Sequence, residues 1–170
     1  MSEKTRRVAL SGLLTALMLI LGYVENMIPI TAAVPGIKLG LSNSVLLYAL
    51  YMMGPVQTLI LMVVKVILSG FMFGGVFAML YSFAGGLLSV LAMMAFKRIK
   101  GVSTIGVSVM GAVFHNVGQV LVAVWVTKAV ALLTTYLPMV LLLSGVVTGI
   151  LTGLIAQMVM KHLKHMPAGR

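Results

Sequence analysis

A small set of polar side chains interrupts a sequence that otherwise offers little chemistry: Glu25, Asn26, Lys38, Asn43, Gln57, Lys65, His115, Asn116, Gln119 and Gln157. An ionisable group placed inside a bilayer costs about 3 kcal/mol on insertion scales, so each needs a partner, a route to the surface or a ligand. Phe114-His115-Asn116-Val117-Gly118-Gln119 holds the densest group. His115 and Gln119 are four residues apart and share a helix face, with Asn116 projecting about 100° away. These residues suit either hydrogen bonding between helices or a ligand. Lys65 lies ten residues after Pro55 in a run of Val, Leu, Ile and Met. Its ammonium either snorkels to the surface or serves as a cation for an anionic ligand group or for Glu25.

Several chemistries are excluded by what is missing. Glu3 and Glu25 are the only acids. A magnesium-diphosphate site, a two-carboxylate hydrolase and an acid-ligated two-metal centre all need more. No nucleotide-binding glycine motif is present, so ATP hydrolysis would have to come from elsewhere. Cysteine is absent, and His115 has no second ligand nearby, since His162 and His165 are far along the chain. The expectation is a protein that is not an enzyme, with no catalytic residue, no cofactor and no metal.

The surroundings of these residues must be lipid. Of the 170 residues, 61% are hydrophobic and 8% charged, with a mean hydropathy of +1.18, far from the balance of a water-soluble domain. Only helices that satisfy their own backbone, or closed barrels, can take up that solvent. The net charge of +10 is no sign of nucleic acid, because the basic residues sit at the ends of apolar runs and not on a polar domain with stacking aromatics. The first apolar run follows Lys4, Arg6 and Arg7 but has no cleavage site leading into a polar domain, so it reads as a transmembrane helix and not a signal peptide.

Apolar runs bounded by glycine, proline or charge fall at 8–28, 39–53, 55–73, 75–96, 104–127 and 138–160. A single helix over 39–73 would be on the order of 50 Å long against a hydrocarbon core of about 30 Å, and Gly54-Pro55 breaks it. Six spans put Lys4, Arg6, Arg7, Lys97, Arg98, Lys100, Lys161, Lys164 and Arg170 on one side. The positive-inside rule makes that side cytoplasmic. The expected architecture is an all-α, multi-pass protein of the cell membrane, one domain over 1–170, with both termini cytoplasmic.

The segment VPGIKLGLSN, residues 34–43, then lies outside, entering the second helix. Its proline and glycines suit a turn, and Gly40 permits close backbone approach. Small residues recur at four-residue spacing as Ser11/Thr15 and Gly12/Ala16 in the first helix and as Gly145, Gly149 and Gly153 in the last. Both sets fit either packing inside the bundle or docking of another membrane protein.

VPGIKLGLSN, LLYALYMMGP, FHNVGQ and SGVVTGILTG together resemble the Gx transporter family, also catalogued as heptaprenyl diphosphate synthase component I. That family is similar in turn to the substrate-binding S components of energy-coupling factor (ECF) transporters. The resemblance implies an S-component-like bundle, an outer loop that caps a substrate pocket, and a small-residue face on the first helix that docks onto a transmembrane coupling subunit working with ATPases. Ala9, Gly12 and Ala16 match that face by position and type. The expected function is a membrane transport subunit that binds a small, anionic or vitamin- or isoprenoid-like solute through Lys38, Asn43, Lys65, His115, Asn116 and Gln119. The alternative is a non-catalytic membrane scaffold of a prenyl diphosphate synthase or quinone-related complex.

Overall fold

A computed structural model describes residues 2–27, 40–134 and 142–165. Helix α1 spans Glu3–Met27, α2 Leu41–Met52, α3 Pro55–Ser69, α4 Gly75–Lys97, α5 Thr104–Thr127, α6 Ala131–Thr134 and α7 Leu143–His165, and a π-helical turn, Gly70–Gly74, joins α3 to α4. No strand occurs among the described residues.

The helix ends follow local chemistry. Gly54, with φ of 91°, ends the turn after α2, and Pro55 then opens α3, where its missing N–H would have been unsatisfied anyway. Ser103 caps α5, its hydroxyl accepting from the Gly106 amide at 3.1 Å. Lys128 closes the same helix in the left-handed region and lies over the Trp125 ring, 5.8 Å from its centroid.

Among the described residues, four stretches are long and apolar enough to cross a membrane, the longest of them Pro55–Lys97 at 43 residues. As one straight helix it would run roughly 65 Å, about twice the hydrocarbon thickness. It is folded in two. Gly75 takes φ of 69°, Met79 sits against Gly70, and Met62 sits against Gly86. Contacts centred on residue 74 mean that α3 and α4 run antiparallel. The break expected between 73 and 75 is thus a turn starting at Gly70.

α5 is the hub, packing most broadly against α4 and α7. The close fit to α4 is made at Gly118, where a Cβ would lie 2.6 Å from the Ala84 carbonyl oxygen. That to α7 is made at Gly149, where a Cβ would lie 2.5 Å from the Val109 Cα. The glycine stripe of the last helix is therefore used inside the bundle.

Filling is uneven along the helix axes. Leu14, Leu47, Leu50, Met62, Met93 and Val107 are buried in one core. Leu50, Met93 and Val107 come from the helix ends nearest the basic residues of 97–100, and Leu14, Leu47 and Met62 from mid-helix. α2, only about 18 Å long at 12 residues, contributes its apolar side to this core and is largely buried. The outward surface is apolar too, with Val8, Leu13, Val56, Phe71, Phe77 and Met158 exposed, as a chain dissolved in lipid requires. The protein is a multi-pass membrane protein.

Candidate functional site

Packing is incomplete toward the other end of the bundle. A cavity of ≈ 130 Å³ opens between the C-terminal part of α1, the start of α2, the α3–α4 turn, the middle of α5 and α7. At the roughly 10–15 Å³ that one water needs, it has room for about ten water-sized groups, the scale of a small solute.

Asn43, Lys65, His115, Asn116 and Gln119, named from sequence, all line this cavity. Lys38, with the rest of residues 34–39 of the VPGIKLGLSN segment, lies outside the described residues, so only Gly40 to Asn43 of that segment is placed. Lys65 reaches the cavity from the C-terminal half of α3, ten residues after Pro55. The His115 set divides between two interfaces. His115 and Gln119 approach α4 at Gly85, and Asn116 approaches α7 at Gly145. These residues sit at helix interfaces and also line the space between the helices.

Glu25 was read from sequence only as a helix end and a partner for Lys65. It is buried at 3% exposure, lines the cavity, and its Oε1 accepts the Gly40 amide hydrogen. Gly40 is left-handed at φ of 71° and precedes the first turn of α2, so the carboxylate of α1 holds the point where the chain re-enters the bundle. A carboxylate among amide donors is stabilised by such charge-assisted bonds. Replacing Glu25 by alanine is expected to leave that amide without its acceptor and speed hydrogen exchange over Gly40 to Ser44 by about tenfold or more, from the ~1–3 kcal/mol cost of an unsatisfied buried donor. Unchanged protection there would show that the contact does not hold α2.

Further lining groups escaped the sequence reading. Tyr23 and Phe73 pack with centroids 5.4 Å apart at 38°, both about half exposed, forming an aromatic rim. Thr152 donates to the Thr148 carbonyl at 2.9 Å, so the buried Ser108 hydroxyl, 3.0 Å away, donates to Thr152. The pair links α5 and α7 beneath the cavity. Only the Glu25 role had a visible signal, an acid in an apolar run; the aromatic rim joins residues fifty apart. Among the described residues, no three His, Cys, Asp or Glu side chains gather as metal ligands would.

Ala9, Gly12 and Ala16 lie elsewhere. They are exposed along one side of α1, while Leu14, Thr15 and Met18 of the same helix are buried. No atom lies within 4 Å of where a Gly12 Cβ would be, in contrast to Gly149. Ser11 faces the bundle instead, accepting from the Gln57 amide at 2.7 Å.

The family described as heptaprenyl diphosphate synthase component I matches over residues 14–159. The curated proteins offer no matching sequence. Among solved structures, the chain is similar to one reported as the structure and mechanism of the S component of a bacterial ECF transporter, with a TM-score of 0.59, 20% identity and 95% of each chain covered. That likeness is one of fold.

Proposed function

Because the chain belongs to the heptaprenyl diphosphate synthase component I family and folds like a transporter S component, we propose that it is the solute-binding membrane subunit of a transporter. The observation that carries this reading is a cavity inside an apolar bundle that gathers Glu25, Asn43, Lys65, His115, Asn116 and Gln119 from four helices, beside the packed core. A bundle that served only as a scaffold would have no reason to keep a lysine, a carboxylate, an imidazole and three amides around an open space in lipid, where each polar group is costly.

On this reading the chain crosses the membrane six times, α3 and α4 counting separately and α2 crossing as a short interior helix. The basic ends face the cytoplasm and the cavity opens outward. Solute enters past Tyr23 and Phe73. Its apolar part meets Met18, Leu19 and Phe73, its anionic group pairs with Lys65, and its remaining polar atoms meet Asn43, His115, Asn116 and Gln119. A small, partly apolar, anionic compound fits this distribution. Lys38 would approach from the outer loop. The protein is not itself an enzyme, and an external partner supplies the energy: a transmembrane coupling subunit with its ATPases, docking on the exposed stripe of Ala9, Gly12 and Ala16.

Native mass spectrometry of the protein from mild detergent, with identification of co-purifying small molecules, tests the reading. One bound compound, lost in Lys65→Ala and Asn43→Ala, is the expected result. The family's description favours a second reading, a non-catalytic membrane component of a prenyl diphosphate synthase complex. A protein that binds no solute and carries a stoichiometric synthase subunit would replace the first reading with that one.

A further inference from the structure

The opposite end of the bundle has a second recess. A cleft of ≈ 290 Å³ lies between the first turns of α1, the end of α2 and the start of α3, and is lined by Glu3, Arg6, Arg7, Tyr48, Met52 and Gln57 among others. Positive-inside topology accounts for basic residues at this end, but not for two arginines sharing one cleft with a tyrosine and a glutamine. Neither guanidinium is bonded to another described residue, whereas Lys97 at the same end of the bundle is engaged: it donates to the Leu50 carbonyl at 2.7 Å and lies over the Tyr51 ring. The Gln57 amide nitrogen is held by the Ser11 hydroxyl, which leaves its oxygen as an acceptor.

We propose that this cleft binds the phosphodiester headgroup of one anionic phospholipid of the cytoplasmic leaflet. Guanidinium groups match phosphate oxygens in a fork geometry that an ammonium does not reproduce. The charged groups that line the cleft, Glu3, Arg6 and Arg7, give it a single net positive charge. That suits a singly charged diester and disfavours a multiply charged nucleotide or polyphosphate. The Gln57 oxygen and Tyr48 provide partners for headgroup hydroxyls, as in a glycerol headgroup. The position suits a lipid, since the cleft sits where the apolar belt ends and the exposed Val56 and Ile60 of α3 continue from it as a surface for an acyl chain. Glu3, Arg6, Arg7 and Leu10 lie on a different side of α1 from Ala9, Gly12 and Ala16, so the site is separate from the stripe and from the solute cavity, and stands whether or not the chain transports.

The test uses the full chain in nanodiscs of phosphatidylcholine containing a minority of phosphatidylglycerol, with retained lipids counted by native mass spectrometry. Three forms are compared: the wild type, Arg6→Gln/Arg7→Gln, and Arg98→Gln/Lys100→Gln, which removes the same charge from an exposed turn at the same end. The wild type and the Arg98/Lys100 variant are expected to keep one phosphatidylglycerol per chain. Arg6→Gln/Arg7→Gln is expected to hold it about tenfold more weakly, or more weakly still, from the attraction of two basic residues to anionic lipid. Since Arg6 and Arg7 are exposed, that variant should keep the wild-type thermal midpoint. Equal loss in both variants would assign the effect to diffuse charge, and no loss in either would remove the site. Displacement of the lipid by excess inorganic phosphate would make the cleft a soluble-anion site and overturn the lipid assignment.

Discussion

Gly118→Leu is expected to lower the thermal midpoint of the detergent-solubilised protein by on the order of 10 °C, combining an overpacking cost of about 3 kcal/mol or more with a shift of roughly 2–4 °C per kcal/mol for a chain of this size. The cause is backbone meeting backbone. A Cβ at position 118 would lie 2.6 Å from the Ala84 oxygen and 2.8 Å from the Gly85 Cα, and neither can rotate away as a side-chain tip could. α4 and α5 would have to separate, and with them the walls carrying His115 and Gln119. Gly12→Leu is the informative counterpart, because nothing lies within 4 Å of its Cβ position. Its midpoint should match the wild type, while co-purification with a coupling subunit should fail if the stripe on α1 is the docking face. A Gly118→Leu protein as stable as the wild type would mean that α4 and α5 do not approach as described. A Gly12→Leu protein that still assembles and transports would remove the docking role from that stripe.

Lys65→Ala is expected to weaken solute binding about 10- to 100-fold, the loss that follows from deleting a charged hydrogen-bond partner worth ~1.5–3 kcal/mol. The useful readout is the rise in thermal midpoint that saturating solute produces, since the midpoint of the empty protein also reflects what Lys65 contacts within the bundle. Binding to the native state alone stabilises in proportion to the logarithm of concentration over Kd, so the rise should shrink or vanish at fixed solute. Ile60→Ala, on the same helix but exposed toward lipid, should leave the rise intact. Uptake should follow the same order. If Lys65→Ala binds as tightly as the wild type, the solute does not place an anionic group there, and the cavity must be reread around Glu25 and the amides.

These two outcomes rest on features of different legibility. The membrane setting and helical class follow from composition, because 61% hydrophobic residues with 8% charged leave a chain no other solvent. The break at Gly54-Pro55 and the polar turn at 98–103 were equally readable, since proline, glycine and charge act on the backbone within one or two residues of themselves. Asn43, Lys65, His115, Asn116 and Gln119 were legible as candidates for a similar reason: a polar group in a lipid-dissolved run is conspicuous by type alone.

What lies opposite a residue was decided only in three dimensions. Gly12 and Gly149 carry the same small-residue spacing, yet one faces open space and the other the α5 backbone; spacing describes a single helix face and says nothing of its neighbour. Glu25 finds its partner fifteen residues away across residues outside those described, and Tyr23 meets Phe73 only because α3 turns back at Gly70. The contrast between the packed core and the cavity beside it belongs to the same class. It depends on how apolar volume from every packed helix adds up at each depth, and no local pattern in the chain records that sum. Sequence therefore determined the solvent, the helices and the polar groups, through interactions that are local or set by composition. Tertiary structure decided which polar groups surround a cavity and which glycines meet a neighbour, because those depend on contacts between helices distant in the chain.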